Sequence, residues 1–175
     1  MSKLNKDQAR AIKNAAELDG LSMADRKTLI KMIDDLNGQD QAIKLFVDGA
    51  ADLHSKTAGI GGVIYSNDKE LSNFSEPLFD KTNNEAEYLS LIKGIDKLID
   101  LKVASVDIYA DSELVVKQVL GIYKVKNERM KILHNLVLEK LQLIDQWNLV
   151  HIRREKNIRA DELSKLGMSE AKSKK

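Results

Sequence analysis

Two apolar runs in this chain each end in an aspartate. Phe46-Val47-Asp48-Gly49-Ala50 closes the first, and Asp111 follows Val106-Asp107-Ile108-Tyr109-Ala110 in the second. Buried strands that stop at an acid gather carboxylates at one edge of a sheet. In open α/β sheets that edge, beyond the carboxyl ends of parallel strands, is where ligands bind. Glu87 and Asp161 add two further acids on expected helices. Four acids crowded together repel one another, and a pair of divalent cations between them is the natural remedy.

The chain has 175 residues, which fits one domain of ordinary size plus an appendage. A hydrophobic content of 43% is enough for a core. There is no cysteine, which excludes disulfides and thiolate metal sites, so any metal must be held by oxygen or by one of three histidines. The first residues, Met1-Ser2-Lys3-Leu4-Asn5-Lys6, lack the apolar core of a signal sequence. No run approaches the roughly 20 apolar residues of a membrane span, so a cytoplasmic protein is expected. A net charge of +1 says little about nucleic acid, because binding follows local charge. Basic density rises at Lys124-Val125-Lys126 with Arg129 and Lys131, at Arg153-Arg154 with Lys156 and Arg159, and in the Lys172-Ser173-Lys174-Lys175 tail. Each cluster taken alone also reads as a solvated face, and such a tail as disordered.

Residues 1–40 read as a helical hairpin. Leu4, Ala9, Ile12 and Ala16 recur at helical spacing up to Asp19-Gly20. Ser22 then caps a second helix, with Asp25 three residues on, an apolar stripe of Leu29, Ile30, Ile33 and Leu36, and a stop at Asn37-Gly38. So small a hairpin buries little surface and must dock on the domain or on a partner. From Ala42 the period changes. A strand ending at Asp48-Gly49 is expected, then a glycine-rich one over 59–65, then one from Glu70 to Ser75 stopped near Pro77. Short connections make these three antiparallel. Thr82-Asn83-Asn84 introduces a strongly periodic helix through Ile99, and reaching the strand from Val103 to Ala110 through that helix implies parallel pairing. Helices over 112–120, from about Glu128 to Gln146, and from Ile158 to Leu166, ended by Gly167, surround a fifth strand, Trp147 to Ile152. The expected fold is α/β: a five-stranded mixed sheet, three antiparallel strands then two parallel, flanked by helices. The expected domains are 1–40, 41–168 and a basic tail, 169–175.

Four segments in this order, Phe46-Val47-Asp48-Gly49-Ala50, Thr82-Asn83-Asn84-Glu85-Ala86-Glu87, Tyr109-Ala110-Asp111-Ser112 and Asn157-Ile158-Arg159-Ala160-Asp161-Glu162-Leu163, resemble type 1 ribonuclease H over about residues 42 to 168. The resemblance implies an RNase H-like fold and an endonuclease cutting the RNA strand of RNA–DNA hybrids with two Mg²⁺ ions, Mn²⁺ being a possible substitute. It implies that Asp48, Glu87, Asp111 and Asp161 are catalytic and hold the metals, with Asp48 bridging both. It implies that Gly49, Thr82, Asn83, Asn84, Lys124, Lys126, Asn127 and Arg153 contact the hybrid. The chemistry is reasonable. Like charges about 4 Å apart repel by about 4 kcal/mol at an effective dielectric near 20, and oxygen-only ligands suit hard ions. Two ions about 3.5–4 Å apart activate a water and stabilise the departing oxygen. An Asn amide at the RNA minor groove suits a 2′-hydroxyl, which both donates and accepts.

The residues alone leave alternatives open. Glu85 competes with Glu87, because acids are favoured near any helix N-terminus. Asp111 could cap the following helix, as could Ser112. Glu162 competes with Asp161. Thr82, Asn83 and Asn84 could simply cap, and Tyr123 could be core. His54 and His134 read as surface or packing residues.

The chain also departs from some bacterial relatives. A short link, Gly121 to Asn127, replaces a long basic protrusion, and Arg153-Arg154-Glu155-Lys156 replaces a histidine-bearing loop, as in a compact, archaeal-like branch. Arg153 or Glu155 is the expected substitute for that histidine, and Glu113 stands where many relatives have Gln. A non-catalytic nucleic-acid-binding protein that keeps the fold is the competing reading. An exonuclease or integrase of similar fold is another, although Asp48 is followed by Gly49-Ala50 rather than by x-Glu.

Overall fold

The computed structural model describes residues 6–18, 20–38 and 42–174. Contacts divide the chain into two units, Met1–Gln41 and Ala42–Lys175. The first holds α1 (Lys6–Ala16) and α2 (Met23–Gly38), packed on each other. Gly20 turns between them with φ of +97°, a conformation that favours glycine. Ser22 caps α2: its Oγ accepts from the Asp25 amide at 3.1 Å and donates to the Asp25 carboxylate at 2.6 Å. Of the expected stripes, Ala16 is buried, Ile12 and Leu29 are half-buried and Ile30 is exposed. Leu4 and Asp19, and the side chains of Ala9, Ile33, Leu36 and Asn37, lie outside the described residues.

The second unit is one sheet with helices on both faces. Its elements are β1 (Ile43–Asp52), β2 (Thr57–Ser66), β3 (Lys69–Phe79), α3 (Asn83–Asp100), β4 (Ser105–Ala110), α4 (Glu113–Val119), α5 (Glu128–Leu141), β5 (Gln146–His151) and α6 (Ile158–Ser173). The strands lie in the order β3-β2-β1-β4-β5, antiparallel among the first three and parallel from β1 through β4 to β5. This is the RNase H-like mixed sheet. Leu45 and Val47 face α3, whose buried side holds Tyr88, Leu91, Ile95 and Leu98. The α3 stripe therefore closes one face of the sheet, and α6 covers β2, β3 and β1 on the other.

Four boundaries differ from the sequence reading. The β1 strand does not end at Asp48-Gly49 but runs on to Asp52, because β2 continues to pair with it there. Pro77 lies inside β3 rather than ending it, opposite Gly59. Because β3 is an edge strand, a residue without an N–H can sit in it. The α5 helix stops at Leu141, short of Gln146, yet Ile144 beyond it is buried and so continued the apolar period. The α6 helix runs past Gly167 to Ser173 and takes in most of the tail expected to be disordered. A Cβ at Gly167 would overlap the main chain of Glu76, so this glycine marks close helix–strand approach, not a stop. Buried Ala171 and an ion pair from Lys172 to Asp52 at 2.8 Å then hold the last turns.

Candidate active site

Val47 pairs with Ala110 across the parallel β1–β4 ladder. The next residue on each strand is an aspartate, so Asp48 and Asp111 emerge side by side at its carboxyl edge. The first turns of α3 reach that edge because residue 49 is glycine: a Cβ there would overlap the main chain of Ala86 and Glu87. The Gly49 amide donates to Glu87 Oε2 at 3.2 Å. One oxygen from each of Asp48, Glu87 and Asp111 lies within 4.8 Å of the others. Around them opens a cleft of about 470 Å³, with Asn83, Ser112, Arg154 and Lys165 on its walls.

The local alternatives resolve into separate tasks. Thr82 caps α3, accepting from the Glu85 amide at 3.3 Å, while Glu85 Oε2 accepts from the Thr82 amide at 2.9 Å. This capping box commits Glu85 to the helix end and leaves Glu87, two residues on, facing the cleft. Ser112 takes the cap position of α4, so Asp111 lies outside that helix. Glu162 is exposed and pairs with Arg159 at 3.2 Å, whereas Asp161 is half-buried.

Burial pushes Glu87 up to about 9, and the negative charges of Asp48 and Asp111 push the same way. Burial also raises Asp48, to about 6; a hydrogen bond from Ser164 opposes this, while Asp111 and Asp161 add to it. Burial alone would raise Asp161 as well, but Lys165 and Arg154 outweigh it and hold that carboxyl below its usual range. Lys165 Nζ lies 2.5 Å from Asp161 Oδ2, and Arg154 reaches Oδ1 at 2.5 and 3.0 Å. The structure therefore brings together three of the four expected acids; Asp161 lies outside that group, its charge matched by Lys165 and Arg154. Asp48, Glu87 and Asp111 form an all-oxygen donor set whose buried members resist ionisation without a cation, so they fit a hard divalent ion.

The residues expected to touch nucleic acid are spread more widely. Gly49 is buried under α3, and its need for glycine is already met by that packing. Asn83 and Asn84 are exposed beside Thr82, and Asn83 Nδ2 approaches Glu87 Oε1 at 3.5 Å. Lys124 and Lys126 are exposed on the link before α5. Asn127 caps that helix, its Oδ1 accepting from the Arg129 and Met130 amides at 2.9 and 3.2 Å. Tyr123 is exposed rather than core, with Lys117 over its ring at 4.9 Å. His134 packs edge-on against Tyr88 and contacts the Gln118 carbonyl at 3.1 Å, and His54 is exposed.

Arg153 is exposed and lies 3.9 Å from Glu155; Arg154 is the residue that reaches the cleft. The adjacent arginines could not be phased from sequence, because the short turn over Arg154–Lys156 decides which one points inward. Lys165 had a legible signal, four residues after Asp161 on one helix. Ser164, fully buried on the same helix, gave none beyond its small size.

A five-stranded mixed sheet with acids from β1, α3 and the end of β4 around one cleft defines a protein of the ribonuclease H class. Comparisons with known proteins agree. A ribonuclease HI of Halobacterium salinarum is 28% identical over 130 residues, covering 74% of this chain and 65% of its own length. The crystal structure of RNase H1 from that archaeon superposes with a TM-score of 0.71 at 27% identity, over 74% of this chain and 99% of that one. LC11-RNase H1, solved in complex with an RNA/DNA hybrid, is 35% identical with a TM-score of 0.69, over 74% of this chain and 98% of that one. The Bacillus subtilis protein YpeP is 32% identical over 151 residues, 79% of this chain and 64% of its own length. The chain therefore spans less than two thirds of these curated relatives. The family model described as reverse transcriptase-like matches residues 46–167, and the chain belongs to that family.

Proposed function

We propose that this protein is an endoribonuclease that hydrolyses the RNA strand of RNA–DNA hybrids with two divalent cations, Mg²⁺ or Mn²⁺. The observation that carries the reading is the convergence of Asp48, Glu87 and Asp111 from three elements within 4.8 Å, beside a cleft rimmed by Asn83. A relative solved with an RNA/DNA hybrid supports the choice of substrate. Asp48, Glu87, Asp111 and Asp161 would hold the ions. When bound, the ions supply a water activated for in-line attack and stabilise charge on the leaving oxygen.

The chain's own side chains do the rest. A phosphodiester is anionic and would be repelled by the bare carboxylates, so Arg154 and Lys165 on the cleft wall lessen that repulsion. Thr82 fixes the start of α3, which sets Asn83 at the rim and exposed Asn84 next to it to meet a 2′-hydroxyl in the minor groove. Gly49 keeps α3 close enough for Glu87 to reach Asp48. Lys124, Lys126, Asn127 and Arg153 extend the contact along the phosphate backbone.

The test is incubation of the purified protein with end-labelled hybrid, duplex DNA and duplex RNA, each with Mg²⁺ or Mn²⁺ and with chelator. Metal-dependent cutting of the RNA strand of the hybrid is expected. Intact RNA at high protein concentration in both metals would leave a hybrid-binding protein without catalysis. Cutting of duplex DNA as readily as hybrid would move the chain to another nuclease of this fold.

A further inference from the structure

We infer that Ser164 is a positioning residue for the metal-binding carboxylate Asp48, an inference that rests on the metal-dependent reading above. Ser164 lies on α6 and is fully buried. Its hydroxyl donates to Asp48 Oδ2, across 116 residues of sequence, and also approaches the Asp161 carbonyl at 3.0 Å. One hydroxyl proton cannot serve two acceptors at once, and a carboxylate is the stronger of the two.

The backbone is arranged for this contact. Asp48 pairs with Gly61 across β1 and β2, and a Cβ at Gly61 would overlap the Ser164 amide nitrogen. The missing side chain at residue 61 lets α6 lie directly on β2 and brings the Ser164 hydroxyl beside Asp48. A second polar link ties the start of α6 to β1: buried Asn157 donates from Nδ2 to the Val47 carbonyl at 2.9 Å, one residue before Asp48.

The donors given to the acids differ in charge. Asp161 receives an ammonium and a guanidinium, whereas Asp48 receives a neutral hydroxyl. A cationic partner orients a carboxylate but also competes with a metal for its charge. A hydroxyl fixes one oxygen and leaves the negative charge uncompensated, so the carboxylate is held in place for a cation. Losing such a contact leaves Asp48 free to rotate, and the cost falls on metal affinity.

The test is titration of the metal-free protein with Mn²⁺, free ion followed by electron paramagnetic resonance, for wild type, Ser164→Ala and Ser164→Cys. Ser90→Ala is the control, because Ser90 is equally buried and its hydroxyl also bonds the carbonyl three residues back, at 2.8 Å, without touching a carboxylate. Ser164→Ala is expected to weaken Mn²⁺ binding about tenfold, the scale of one hydrogen bond to a charged group, and Ser90→Ala to leave it unchanged. The Mg²⁺ midpoint for hybrid cleavage should move by the same factor, with the rate at saturating metal nearly unchanged. If the alanine variant does not fold, the cysteine variant, similar in size but a weaker donor, should show the same loss at smaller scale. Wild-type Mn²⁺ affinity in a folded Ser164 variant overturns the assignment, whatever the cleavage result. Weakened binding without any hybrid cleavage by the wild type upholds Ser164 and overturns the proposed activity instead.

Discussion

Glu87 shows how one residue carries a conflict between burial and charge. Its ordinary value near 4.5 describes the unfolded chain, and burial lifts it to about 9 in the fold. Between those values the unfolded chain is ionised while the folded one keeps its proton, so folding takes up a proton and stability falls as pH rises through that window. In chelator, Glu87→Gln should therefore gain thermal stability over wild type as pH is raised from about 5 to about 8, with little difference near 4. Calorimetric melting across that range checks it; a constant offset at all pH would contradict the buried, protonated carboxyl. Asp111 makes a different prediction, because it is a half-buried edge residue with no core packing to lose. Asp111→Asn should keep the native melting temperature within a few degrees yet lower hybrid cleavage by more than about a hundredfold, the scale of a lost preorganised electrostatic contact. Undiminished cleavage would remove Asp111 from the site.

At the scale of elements, α6 is positioned by glycines on the strands it covers. Gly59 and Gly61 on β2 leave room for the main chain of Met168 and Ser164, and Gly167 leaves room for Glu76 of β3. Helix and sheet then meet backbone to backbone, with little slack for an added atom. Gly61→Ala should lower stability by about 1–3 kcal/mol, the range for forcing atoms into a packed interface. Urea denaturation measures this, and a variant as stable as wild type would show that α6 can lift without loss. The same geometry explains why Gly167 misled as a helix stop. Helix propensity penalises glycine by about 1 kcal/mol, but the approach to Glu76 excludes every other residue there. Asp161 and Ser164 both ride on this helix, so its seating sets two of the polar groups around Asp48.

Over the whole molecule, charge is local rather than global. A net charge of +1 conceals exposed Lys124 and Lys126 on one link and a carboxylate cleft on the sheet edge. Binding to a hybrid should therefore be salt-sensitive, and each lost phosphate contact should reduce the slope of log affinity against log salt by about 1. Lys124→Ala with Lys126→Ala should weaken hybrid binding at low salt and flatten that slope by about 2. Fluorescence anisotropy with a non-cleavable hybrid in calcium checks it; an unchanged slope would place the phosphate contacts elsewhere. The core cluster is drawn wholly from residues of the second unit, from Ile43 to Leu149, so fold and cleft are specified within that unit. No helix among the described residues is long and apolar enough to cross a membrane.

Sequence alone determined the order of elements, the mixed sheet and the meeting of Asp48 with Asp111. Those follow from local period and from where each apolar run stops, which pairing in parallel then aligns. Tertiary structure decided which of two nearby residues faces the cleft: Glu87 over Glu85, as the family resemblance also implies, and Arg154 over Arg153. It also decided that Gly167 continues a helix and that Pro77 lies within a strand. In each case the choice rests on how an element is rotated and seated against partners far along the chain, such as Gly49 under α3 or Gly61 under α6. That information does not reside in any window of sequence, because the contact that fixes it joins residues tens of positions apart.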